Sequence, residues 1–135
     1  MLTCASFFDL SRFAFADLFM QTEYAWEALS RLKAYMQQAT YPDYSTFLPK
    51  NGEPLTRTIV LHKNEVFSGD EVEIDFGDAP KGLLKVSKEG RPLTGASVIM
   101  AGVSLMGDRL RIGKGVLIEP GAMISSPTIV DDCTV

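Results

Sequence analysis

The spacing of apolar side chains changes character twice along the chain. Over residues 1–48 the spacing is helical. In SRFAFADLFM, Phe15, Leu18 and Phe19 fall at helical intervals after the potential cap Ser11. A longer helix is predicted over residues 23–38. Ala25, Ala28, Leu29, Leu32, Tyr35 and Met36 share one face. Glu27 and Arg31 stand one turn apart on the exposed side and can pair. Thr22 is a candidate cap, and Pro42 disfavours helix beyond about Thr40. Trp26 sits at the edge of the apolar face and reads as a packing anchor.

LPKNGEPL, residues 48–55, is turn chemistry, with two prolines flanking Asn51-Gly52. It is the clearest internal boundary. Beyond it the helical period stops. In TIVLHKNEVFSGDEVEIDFG, Val72, Ile74 and Phe76 alternate with acidic residues, as in a half-buried strand. Val60, Val66 and Val72 are also six apart, but Asn64, Asp70 and Phe76 suit a six-residue repeat badly. The segment is either degenerate repeat or a hairpin closed near Gly69-Asp70. GLLKVSKEG, residues 82–90, is a further strand candidate. Three regions follow: a helical segment over 1–48, an irregular β region over 49–99, and a regular repeat over 100–135.

That repeat reads MAGVSL, MGDRLR, IGKGVL, IEPGAM, ISSPTI, VDDCTV. First positions are Met100, Met106, Ile112, Ile118, Ile124 and Val130. Fifth positions are Ser104, Leu110, Val116, Ala122, Thr128 and Thr134. A period of two would alternate along a strand, and 3.6 would wrap a helix. Six requires a short extended stretch and then a bend, repeated. First and fifth residues point inward, and glycine or proline serves the bend. Stacked segments of this kind give a solenoid with a continuous aliphatic interior.

Composition adds little to this picture. The chain has 135 residues, 46% hydrophobic and 22% charged, enough apolar material for a buried core. No apolar run reaches the length of a membrane span, and MLTCASFFDLSRF lacks the features of a secretory signal. A cytoplasmic protein with no membrane partner is expected. The net charge of -4, with 17 acidic against 13 unclustered basic residues, argues against nucleic-acid binding. Cys4 and Cys133 lie at opposite ends of the chain. They read as free thiols, and no metal site is expected.

The six blocks resemble the hexapeptide repeat of left-handed parallel β-helix transferases. IGKGVL and IEPGAM match its order of aliphatic, small or acidic, two free positions, small, free. MGDRLR and ISSPTI match through Met106, Leu110 and Ser125. The resemblance implies a mainly β fold, a left-handed parallel β-helix with an N-terminal helical segment. Its 18-residue coils would be residues 100–117 and 118–135. Left-handedness is implied by the resemblance alone, since parallel crossovers are otherwise right-handed. A narrower resemblance rests on the aromatic start, the YAWEAL-RLK-YM helix and IGKGVLIEPGAMI--PTI. It is to bacterial proteins related to sugar-1-phosphate nucleotidyltransferases, which carry the β-helical acetyltransferase part of bifunctional enzymes. That family implies homotrimers, with acetyl-coenzyme A and a sugar phosphate or sugar nucleotide bound between neighbouring β-helices.

The chemistry of that family is only partly present. Gly107-DRLRI-Gly113-Lys114 has one residue too many for a phosphate-binding loop, and no Ser or Thr follows. Nucleotidyl transfer by this chain alone is not expected. Acyl transfer in the family uses a histidine as general base. The only histidine is His62, outside the hexads, where a packing or surface role competes with a catalytic one. Cys133, with no assured base nearby, reads as an inert thiol. No catalytic or cofactor-binding set is assigned from the sequence.

VDDCTV is a good hexad and not a cap, and solenoids cap their open ends. The expectation is therefore a fragment whose parent continues with further coils, carrying the family's histidine. Three readings stand: the incomplete N-terminal part of a β-helical acyl or sugar-nucleotide transferase, a non-catalytic trimerising β-helix scaffold, or a plain solenoid capped by the aromatic helix.

Overall fold

The computed structural model describes residues 3–135 and divides into two compact units, one up to Thr40 and one from Tyr41 to Val135. The first unit contains α1 (Glu27–Gln38), preceded by 3-10 turns at Cys4–Ser6 and Ala16–Phe19. The helix starts later than its apolar spacing predicts. Trp26 is the first flanking residue, with no side-chain cap. Thr22 Oγ1 instead donates to the Phe19 carbonyl, 2.7 Å away. The Arg31 guanidinium does not reach Glu27. It donates to the carbonyls of Met20 and Gln21 and holds the preceding loop. Glu27 accepts from the Tyr24 N–H at 2.9 Å, which satisfies one unpaired donor of the helix entrance. Trp26 is 56% exposed and stacks on Tyr24, with ring centroids 4.7 Å apart. It packs locally rather than into a core.

The second unit is β-rich. β1 (Ile59–His62) and β2 (Glu65–Ser68) form an antiparallel hairpin. Its turn is Lys63-Asn64, not Gly69-Asp70, which instead lies in a 3-10 turn leading to β3 (Glu73–Asp75). Ser68 and Glu71 close that turn as a reciprocal capping box. β3, β4 (Lys85–Lys88) and β5 (Arg91–Pro92) make a small antiparallel sheet. The repeat region supplies β6 (Ser97–Ile99), β7 (Ser104–Met106), β8 (Leu110–Ile112), β9 (Leu117–Ile118), β10 (Met123–Ser125) and β11 (Thr128–Val130).

These elements do not form the expected left-handed parallel β-helix. They make four separate sheets: one mixed, one antiparallel and two that are single parallel pairs. Parallel pairing joins β6 with β9, β7 with β10 and β8 with β11, and a single parallel bridge carries Leu117 of β9 on to Thr134. On its other edge β6 is taken by β1, running antiparallel, where a solenoid would place another coil. The physical reason lies in residues 59–68, whose register suits a hairpin and leaves no place for a further parallel layer at that edge of β6.

The phase of the repeat is also corrected. Ile99 pairs with Ile118, and Leu105 with Ile124, both 19 residues apart. Leu110 pairs with Thr128 and Ile112 with Val130, both 18 apart. One extra residue is therefore accommodated between Leu105 and Leu110. Ile99 and Leu105, not Met100 and Met106, join the interior cluster with Val103, Leu110, Val116, Ile118 and Ile124. Met100 turns outward to the second cluster, and the Met106 side chain lies against Gly52.

In the sheet β2-β1-β6-β9, strands β1, β6 and β9 bury residues on both faces, as strand alternation allows, while Glu65 and Val66 of β2 are exposed. Ile59, Ile99 and Ile118 face the interior cluster; Val60, Val98 and Leu117 face the second, with Val86 of β4. Five of these six are at most 2% exposed. Residues 41–55 belong to the same body. Leu55 exchanges backbone hydrogen bonds with Val103 and Gly102, each 2.8 Å, and Tyr44, Phe47 and Leu48 pack against the interior cluster. No helix among the described residues is long and apolar enough to cross a membrane.

Candidate functional site

The β1–β2 turn departs from local backbone preference. Lys63 and Asn64 adopt φ of 48° and 57°, the pattern of a type I′ turn. Asn suits that region; lysine does not, and a non-glycine residue there is disfavoured by the contact between Cβ and the carbonyl. Two residues are all the hairpin register leaves, because His62 pairs directly with Glu65. His62 is thereby fixed at the end of β1, half-buried, beside the exposed Lys63.

A cleft of about 340 Å³ opens there. The hairpin supplies Leu61 to Val66, the 42–47 segment supplies Asp43, Tyr44 and Phe47, and the bend after β8 supplies Gly113 and Lys114. Tyr44 is anchored by its hydroxyl oxygen, which accepts from the Ile112 N–H at 3.0 Å. Burial weakens its acidity, partly offset by that hydrogen bond and by the Arg111 charge. The Lys114 stem runs beside Gly95, where an added Cβ would sit 3.7 Å from it.

The Gly113-Lys114 bend is held from two sides. Ser97, fully buried, donates its hydroxyl to the Gly113 carbonyl at 2.7 Å and accepts from the Val116 N–H at 2.9 Å. Asp131 accepts from the Lys114 N–H at 2.9 Å. Gly113 has no room for a side chain, since a Cβ would overlap the Asp131 carboxylate. Gly113→Ala should therefore displace that carboxylate and release the Lys114 N–H. A loss of about 1–2 kcal/mol in urea unfolding is expected. An unchanged midpoint would mean that the Asp131 contact is not formed.

The other sequence candidates are not gathered here. Gly107 and Gly113 lie at different bends, Gly107 with φ of 97° against Ser126. They do not make one phosphate-cradling loop. Cys133 is half-buried and joins the margin of the interior cluster, and Cys4 is buried in the first unit. Burial pushes the Cys133 thiol up, with the charges of Asp131 and Asp132 adding to it against a backbone hydrogen bond from Asp131. Cys133 should therefore react at least about threefold more slowly than a small free thiol with an aromatic disulfide reagent at pH 8. Equal rates in the native state would contradict this; denaturant should equalise them. Among the described residues no group of His, Cys, Asp and Glu is placed to hold a metal.

The sequence pointed to His62 but missed Tyr44 and Lys114 as its neighbours. They lie 18 residues before and 52 after it, and no local pattern joins them. Comparison with protein-family models, with curated proteins and with solved structures finds no match.

Proposed function

We propose that the chain is part of a cytoplasmic acyltransferase that uses acetyl-coenzyme A and acts on a sugar phosphate or sugar nucleotide, working as a homotrimer. One observation carries this reading: the only histidine lines a cleft with a tyrosine hydroxyl and two lysines. The cleft lies at the small end of the roughly 300–1,000 Å³ usual for small-molecule sites, which suits the acceptor rather than a whole coenzyme A. His62 would take the proton from the acceptor hydroxyl or amine as that group attacks the thioester carbonyl. Coenzyme A would leave as the thiol.

Thiol release from acetyl-coenzyme A in the presence of a sugar nucleotide or sugar phosphate tests this. His62→Ala should lower turnover by about 10²–10⁴, with a much smaller loss of acceptor binding. Absence of acetyl-coenzyme A binding in calorimetry would end the acyl-transfer reading.

A second reading, a non-catalytic assembly module, is favoured by the first unit. Phe7, Phe8, Trp26 and Leu29 are each more than half exposed there. A small unit that leaves such side chains in water gains stability by covering them. Trimerisation in sedimentation velocity, with no binding of either ligand, would select it.

A further inference from the structure

We infer that the His62 cleft is a phosphate-binding site, built to take the phosphate group of its ligand. The inference deepens the reading above: it rests on the cleft as the ligand site, but not on acyl transfer.

The cleft holds more hydrogen-bond donors than free acceptors. Lys63, Asn64 and His62 from the hairpin, and Lys114 from the facing bend, show no side-chain hydrogen bond or ion pair among the described residues. Tyr44 accepts from the Ile112 N–H, so its own O–H proton remains to be given. Five side chains from three segments thus bring unused donors to one small cleft. Two carboxylates line it as well. Asp43 is already turned to its own loop, accepting from the Ser45 N–H at 2.8 Å. Glu65 stands across from His62 in the hairpin register and opposes an anion. Donors in surplus over free acceptors are what a phosphate, with only acceptor oxygens, requires. A sugar hydroxyl needs both kinds. The chain as a whole is acidic, at -4, so its general field does not attract anions and a local site must.

Lys63 supplies a second, independent sign. Asn or glycine is the favoured residue for a left-handed turn position, yet a lysine occupies it at the cleft. Residues held in disfavoured backbone regions concentrate where function requires the side chain. Glycine at this position would relieve the backbone and remove the charge. Stability and ligand binding should then move in opposite directions.

The test is titration of the full chain with inorganic phosphate, a hexose 1-phosphate and the neutral hexose, followed by amide chemical shifts. Shifts at Lys63, Asn64, Gly113 and Lys114 are expected with both phosphates and not with the hexose. Lys114→Ala should weaken phosphate binding about tenfold or more. Lys63→Gly should weaken it severalfold while unfolding at equal or higher denaturant. Glu65→Gln should tighten it, and Lys85→Ala, outside the cleft, should leave it unchanged. Binding of the hexose as tight as that of its phosphate would overturn the inference. So would phosphate binding that Lys63→Gly leaves intact in a folded protein. Phosphate binding without acetyl-coenzyme A binding would retain this site and remove the acyltransferase reading.

Discussion

Ile118→Ala is expected to cost about 3–5 kcal/mol in urea unfolding, the upper part of the range for truncating a buried isoleucine. Ile118 is fully buried in β9 and pairs with Ile99 of β6, itself fully buried. Its backbone is fixed from both sides: Met100 N–H donates to the Ile118 carbonyl at 3.0 Å, and Glu119 N–H donates to Val135 at 2.8 Å. A strand held in this way cannot move inward to fill the lost volume, so the cavity term adds to the lost transfer energy. Ile118→Val, which removes one methylene, should cost only about 1 kcal/mol. Met123→Ala, at a side chain 69% exposed five residues along, should stay within about 0.5 kcal/mol. If Ile118→Ala cost less than about 1 kcal/mol, Ile118 could not be closely packed in the interior cluster.

Ser97→Ala is the second large effect, about 2–4 kcal/mol, for a change of one oxygen atom. The hydroxyl joins β6 to the next bend by donating to Gly113 and accepting from Val116. Alanine would leave both backbone groups without that partner, and Ser97 and Val116 are both fully buried. Removing one partner of a buried pair costs the full desolvation of the group left behind, which exceeds the net worth of the bond. Ser97→Thr keeps the hydroxyl and adds a methyl in a closely packed place, so it should recover part of the loss but not all of it. The same bend carries Lys114 into the cleft. Ser97→Ala should therefore also broaden or shift the amide signals of Gly113 and Lys114. Full stability in Ser97→Ala would mean that the bend finds other partners, and the serine would have no structural role.

Much of the local structure is legible in the residues themselves. The 3/4 apolar spacing of residues 25–36 marks α1, and the extended backbone at Ala39 ends it before Pro42. Alternation around Ile74 and the glycine-bounded KVSK segment mark β3 and β4. The six-residue period marks a chain that bends back beside itself after three blocks, and the 18- and 19-residue pairings have that origin. The phase was not legible over Val98-Ile99-Met100 and Leu105-Met106. Adjacent apolar residues there serve both faces of a strand, and period alone does not say which face is the interior.

The site divides in the same way. His62 stands out in the sequence because it is the only histidine. Its setting does not, because Tyr44 and Lys114 reach it through contacts far apart in the chain. By itself the sequence determined what depends on near neighbours: a helix, a set of short strands and bends at fixed intervals. Only the tertiary structure decided what depends on long-range pairing. It set the antiparallel hairpin against β6, so that the repeat does not continue into a β-helix. It placed one extra residue in the passage from β7 to β8, which turns Met100 and Met106 outward. It also closed a donor-rich cleft around one histidine. Period and propensity act over a few residues, whereas register, edge occupancy and the meeting of distant side chains are fixed by the packing of the whole unit.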